Sequence, residues 1–225
     1  MKRILLVPIA MAFVAIGNAS PICVQDTLAN YIANNTACTI GDKLFTNWGY
    51  SSATTSATSI TVVPQPGPNG GITDPGVLFS SGAWNAFPGE TKDATITFTV
   101  SAPSGFHIEG AGLTIAGSVT GTGTGTVNEH LLNGVTDIPG SPNLTTEPSP
   151  VSAGFDFVVA GGTPMDTLNI QTLIHVSAAA GSHTTISAIT EDFSQIQTVP
   201  EPAEAMLIGS GLLLFGFVWR KRSGR

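Results

Sequence analysis

A chain of 225 residues has room for one domain plus processing segments. Charged residues are 10% of it, while 26 Gly and 15 Pro accompany abundant Ser and Thr, which argues against a charged helical bundle and for short strands joined by turns. Between Ser20 and Thr198, two Lys face 13 Asp or Glu with no Arg, a balance of −11 that excludes nucleic-acid binding, because phosphate contacts need clustered cations.

Residues 1–19 have the three parts of a secretory signal: basic Lys2 and Arg3, an apolar run from Ile4 to Ile16, and small Gly17 and Ala19 ahead of Ser20. Ser20-Pro21-Ile22 before Cys23 is not a lipobox. Residues 20–198 then form an acidic ectodomain. Its two cysteines, Cys23 and Cys38, are an even pair in an exported chain and predict one disulfide, worth about 3 kcal/mol in the chain-entropy model. A short helix is expected over Asp26–Asn34, capped by Asp26, with Leu28, Tyr31 and Ile32 on one face.

Strands are expected at Leu44–Tyr50, Ile60–Val63 and Val77–Ser80, with Pro64 to Gly71 a loop whose prolines are excluded from central strands. Thr95 to Val100 alternates cleanly: Ile96, Phe98 and Val100 share one face and three Thr the other. Leu113–Val119 and Val127–Leu132 read as a hairpin across Gly121 to Gly125. The alternation returns at Phe155, Phe157 and Val159, and again at Leu168, Ile170, Thr172, Ile174 and Val176; a last strand falls within Thr184–Ile196. Eight or nine short strands with frequent turns predict a mainly β fold, an Ig-like β-sandwich with one short N-terminal helix. Ile96, Phe98, Val100, Phe155, Phe157, Val159, Leu168, Ile170 and Ile174 are its expected core.

Residues 199–225 have another character. Val199, Pro200, Glu201 and Pro202 are followed by an apolar run from Ala205 to Trp219, then Arg220, Lys221, Arg222 and a final Arg225. The prolines keep the motif extended. The apolar run is long enough, at about 23 Å as a helix, for a marginal single transmembrane span. The basic cluster stops transfer on the cytoplasmic side. In this order the three parts resemble the PEP-CTERM sorting signal. The resemblance implies an exosortase-type processing enzyme and the secretion machinery as partners. It also implies transient inner-membrane anchoring through the tail, then delivery to the cell surface or an exopolysaccharide matrix. The segments Thr27–Ala33, Cys38–Asp42 and Gly121–Glu129 also resemble a group of such exported proteins, which adds no mechanism.

Catalytic chemistry is not evident. Gly121 to Gly125 has β-branched neighbours and no following helix, so it reads as a loop rather than a phosphate cradle. His107, His130, His175 and His183 are scattered without metal-ligand spacing, and no nucleophile elbow is present. Glu191-Asp192, the only adjacent acidic pair, reads as a solvated patch. No catalytic residue, metal or cofactor is assigned. The leading expectation is a non-enzymatic surface or extracellular-matrix protein. The alternative is a carbohydrate-binding or adhesive module, with Trp84, in the turn-like Gly82–Gly89 stretch, as the stacking residue. A secreted hydrolase ranks third.

Overall fold

A computed structural model describes residues 20–67, 74–139, 143–145, 151–156 and 163–197. The chain begins with β1 (Asp26–Thr27), α1 (Leu28–Ala33), β2 (Cys38–Ile40), β3 (Lys43–Ser52), β4 (Ile60–Gln65) and β5 (Gly76–Ser81). It continues with β6 (Asn85–Ala86), β7 (Thr91–Ser101), β8 (Phe106–Thr120), β9 (Gly123–Asn133) and β10 (Thr136–Asp137). The last strands are β11 (Asn143–Thr145), β12 (Val151–Asp156), β13 (Thr167–Ala178) and β14 (His183–Gln197).

The strands form two antiparallel sheets. The first runs β1-β4-β5-β14-β8-β12, with β6 beside β14; the second runs β10-β9-β13-β7-β3-β2, with β11 beside β9. Period-2 alternation explains the layering. On β13, every second residue from Leu168 to Ala178 is buried, and on β7 Ile96, Phe98 and Val100 are buried. Leu168, Ile170 and Ile174 join them in the core as expected. Phe155 sits in β12 opposite Ala111, whereas Phe157 and Val159 lie outside the described residues.

Ring packing fills one half of the core. Phe98 has its centroid 5.2 Å from Trp48, 5.9 Å from Phe45 and Phe79, and 6.0 Å from Phe193. Tyr31 of α1 adds an edge-to-face contact with Trp48 at 4.9 Å. Cys23 and Cys38 are disulfide-bonded, which fastens the segment before α1 to β2. The Cys23 amide reinforces this by donating to Thr39 O at 2.9 Å.

The helix is shorter than expected. Thr27, not Asp26, is its N-cap, accepting from the Asn30 amide at 3.3 Å; Asp26 belongs to β1 and accepts from the Asn30 side chain at 2.7 Å. Pro64 lies within β4, opposite Val77. This is compatible with its missing N–H because β1 pairs only with Thr61 and Val62, leaving β4 an edge strand at Pro64.

The larger departure concerns β8 and β9. They are not a hairpin: β8 pairs with β14 in one sheet and β9 with β13 in the other. The glycine-rich connection crosses the sandwich. The signal segment 1–19 and the tail 199–225, with Val199 to Pro202 and Arg220 to Arg225, lie outside the described residues. Among the described residues no helix is long and apolar enough to cross a membrane.

Candidate functional site

Two crossings between the sheets lie side by side at one end of the sandwich, β8 to β9 and β13 to β14. Gly121, at φ +76°, takes the left-handed turn that the first crossing needs. The Thr122 amide then donates to Ser182 Oγ at 2.7 Å, and the Ala179 amide donates to Thr122 O at 3.0 Å. These bonds hold the two crossings together around an open hollow of about 630 Å³, lined by residues 121–124 and 177–179. Its lining offers hydroxyls from Thr122, Thr124 and Ser177, together with backbone groups, and contains no carboxylate.

A third segment docks on the same end. Phe87-Pro88-Gly89-Glu90 closes a turn, with the Glu90 amide donating to Phe87 O at 2.8 Å and Gly89 at φ +82°. The Gly89 amide donates to Ala178 O at 2.8 Å, and the Ala178 amide to Glu90 O at 3.1 Å. The turn thus docks on Ala178 of the lining; Phe87, itself outside that lining, has 53% of its surface exposed and its ring 5.2 Å from that of His183. The Phe87 amide donates to Glu90 Oε2 at 3.1 Å and holds that carboxyl below the usual carboxylate range.

Trp84 is not a stacking platform. It is 1% exposed, because Asn85 and Ala86 form β6 against β14 and draw the indole beneath the sheet, where its Nε1 has no hydrogen-bond partner among the described residues. Trp48 is buried too, donating from Nε1 to Thr36 O at 3.0 Å. Phe87, three residues after Trp84, is the exposed aromatic of this stretch. Its signal is the Pro-Gly pair that follows, which forces the neighbouring ring to the turn surface.

The histidines are dispersed. His107, His130 and His175 place Nδ1 at 2.5, 2.9 and 2.7 Å from Asp166, Asp137 and Asp93. No group of three metal-ligating side chains occurs among the described residues.

Glu191-Asp192 is not a solvated patch. Adjacent residues of a strand face opposite sides, and Glu191 points between the sheets, fully buried. Opposite it, from the other sheet, come Glu129, 1% exposed, and Thr172, whose hydroxyl donates to Glu191 Oε1 at 2.6 Å. Burial pushes Glu191 up to about 8, against the Thr172 bond, with Asp192 pushing the same way. Burial first, and then the charges of Glu191 and Asp192, hold Glu129 well above the carboxylate range. Asp192, on the outer side of β14, is raised by partial burial and by Asp74. Closed off from solvent, this acid pair has no access to a substrate.

No protein-family model matches the chain, and no curated protein matches it. Among solved structures, TmCBM61 in complex with beta-1,4-galactotriose is similar at 15% identity and TM-score 0.33, over 67% of this chain and 88% of that one. The family 11 carbohydrate-binding module from Clostridium thermocellum, in complex with a beta-1,3-1,4-mixed-linked tetrasaccharide, is similar at 17% identity and TM-score 0.26, over 69% and 91%. The enzymatically active domain of tailspike protein 4 from bacteriophage CBA120 is similar at 15% identity and TM-score 0.33, over 66% of this chain and 19% of that one. The saccharides named belong to those proteins.

Proposed function

We propose that the chain is an exported, non-catalytic surface protein whose sandwich holds polysaccharide at the crossover end, and that its C-terminal tail sorts it there. The observation that carries the binding reading is the exposed Phe87 ring, braced by His183 beside a hollow lined with hydroxyl and backbone groups. A sugar ring presents an apolar C–H face and a rim of hydroxyls. Phe87 offers a flat apolar partner to the first, and Thr122, Thr124 and Ser177 offer donors and acceptors to the second. The −11 balance of the ectodomain repels polyanions, so the ligand class is a neutral polysaccharide.

The non-catalytic reading is supported by the carboxylates. Glycoside hydrolysis commonly needs two of them flanking the bond in a cleft. The hollow's lining has none, and Glu129 and Glu191 are sealed between the sheets. The sorting reading rests on the order of Val199 to Pro202, the apolar run and the basic end. An exosortase-type enzyme would read Pro200-Glu201-Pro202 while the run holds that motif at the membrane.

Affinity electrophoresis of the full chain through neutral polysaccharides tests the binding reading. Phe87→Ala should weaken the retarding interaction about 5- to 30-fold, the loss expected from about 1–2 kcal/mol of apolar burial. Equal retardation of parent and variant would remove the site. Replacing Pro200, Glu201 and Pro202 by Ala should leave export intact and make uncut chain accumulate in the membrane fraction. Mass analysis of the C-terminus reads that outcome, and normal maturation of the variant would reduce the tail to an anchor.

A further inference from the structure

Two carboxyl groups buried in a protein with so few cations need an explanation of their own. Glu129 comes from the β9 side of the sandwich and Glu191 from the β14 side. They are 1% and 0% exposed. Among the described residues, both oxygens of Glu129 and Oε2 of Glu191 lack hydrogen-bond partners, and the one bond the pair receives there is from Thr172 to Glu191 Oε1. An ionised carboxylate left so would be far more costly than a neutral acid, which has no net charge to desolvate.

Among the described residues, nothing nearby compensates a negative charge. Glu129 is flanked along β9 by buried Val127 and Leu131, and Glu191 along β14 by buried Ile189 and Phe193. Beside Glu191, β5 and β8 bring Val77 and Leu113; β13 brings the Thr172 hydroxyl opposite Glu129. The charges acting on the pair from elsewhere are acidic: Asp192 on the outer side of β14, with Asp74 beyond it. The two Lys of the ectodomain are engaged elsewhere, Lys43 at 3.2 Å from Asp42 and Lys92 at 3.6 Å from Glu90.

We propose that Glu129 and Glu191 are an interior proton-holding pair: neutral, they let the two sheets close over them, and loss of their protons to solvent in alkali forces the sheets apart. The sign follows from linkage. In the unfolded chain both groups ionise near the usual glutamate value. The folded state therefore holds protons that the unfolded state has released, from that value up to the raised folded one. Stability is full in mild acid and falls as pH rises through this window. Its upper end lies near 8 for Glu191, the value to which burial pushes it. The domain would thus be firmest in acidic surroundings and would loosen as they turn alkaline, a response separate from saccharide binding.

Thermal unfolding of the full chain between about pH 5 and pH 9 tests this. The unfolding constant of the parent should rise about tenfold per pH unit for each proton held. The double variant Glu129→Gln/Glu191→Gln should lose that slope, while the contribution from Asp192 remains in both proteins. Equal slopes would overturn the proposal. Infrared spectroscopy of the folded parent keeps it falsifiable if the double variant does not fold. A protonated-carboxyl C=O band should persist at neutral pH and survive Asp192→Asn. Its absence from the folded parent, or its loss in Asp192→Asn, would overturn the proposal, as would a melting point lowered by chelator, which would put a cation where the protons are assigned.

Discussion

Phe193 and Glu191 are successive inward side chains of one strand, yet they face opposite kinds of interior. Phe193 enters a ring cluster with Phe45 and Phe98, both centroids 6.0 Å away. Glu191 enters a layer where three of the four carboxyl oxygens of two glutamates have no partner among the described residues. The aromatic region gains from burial in proportion to area, whatever the pH. The acid layer is tolerable only while its charge is absent. One sandwich therefore has a region that supplies stability and a region that makes it conditional, and substitutions in each separate the two.

The largest effect belongs to Phe98→Ala. Phe98 contacts four other rings, so truncation removes the hub of the cluster and leaves a cavity that rigid neighbours cannot refill. A loss of about 3–5 kcal/mol is expected in denaturant unfolding. A loss below about 1 kcal/mol would mean that the aromatic half does not carry the fold.

Reducing the disulfide should come next, at about 3 kcal/mol. Cys23–Cys38 secures the segment that delivers Tyr31 to Trp48, so this bridge reinforces the aromatic half rather than the acid layer. Melting with and without reductant reads it. The loss should be the same at acidic and neutral pH, and a loss confined to one pH would join the two halves that the comparison keeps apart.

The acid layer gives a gain instead. Glu191→Gln should stabilise the domain by about 1–3 kcal/mol at pH 7, because Gln has no charge to lose and the folded chain no longer holds a proton against neutral solvent. In acid, near the unfolded glutamate value, the gain should vanish. A variant less stable than the parent at both pH values would show that the carboxyl is needed for a bond which the amide cannot make.

Most of this contrast is written in the sequence at period 2. Ile96, Phe98 and Val100 declare their face, and the strands follow. The acid layer obeys the same code. Glu129 falls between Val127 and Leu131, Thr172 between Ile170 and Ile174, and Glu191 between Ile189 and Phe193, so each is a polar residue at an inward position. Reading Glu191 with its neighbour Asp192 as a surface patch ignored that adjacent strand residues face opposite ways. What the pattern could not supply was partner choice. Gly121 to Gly125 has the composition of a hairpin turn, and only the pairing of β8 with β14 and β9 with β13 makes it a crossing. The hollow exists because of that crossing, so it was not legible from local sequence.

The smallest expected effect compares the two buried indoles. Trp48 Nε1 donates to Thr36 O at 3.0 Å, whereas Trp84 Nε1 has no partner among the described residues. Trp48→Phe loses that bond, leaves the Thr36 carbonyl short of a donor and shrinks a ring inside the aromatic cluster. It should cost about 1–3 kcal/mol. Trp84→Phe loses ring volume as well, but it also removes a buried donor whose desolvation is uncompensated, and these changes oppose each other. Its net cost should stay below about 1 kcal/mol. Chemical denaturation of the two variants side by side measures the difference. Equal costs would mean that a water bonds Nε1 of Trp84 in solution, which would place an interior polar site near the crossover end as well as in the acid layer.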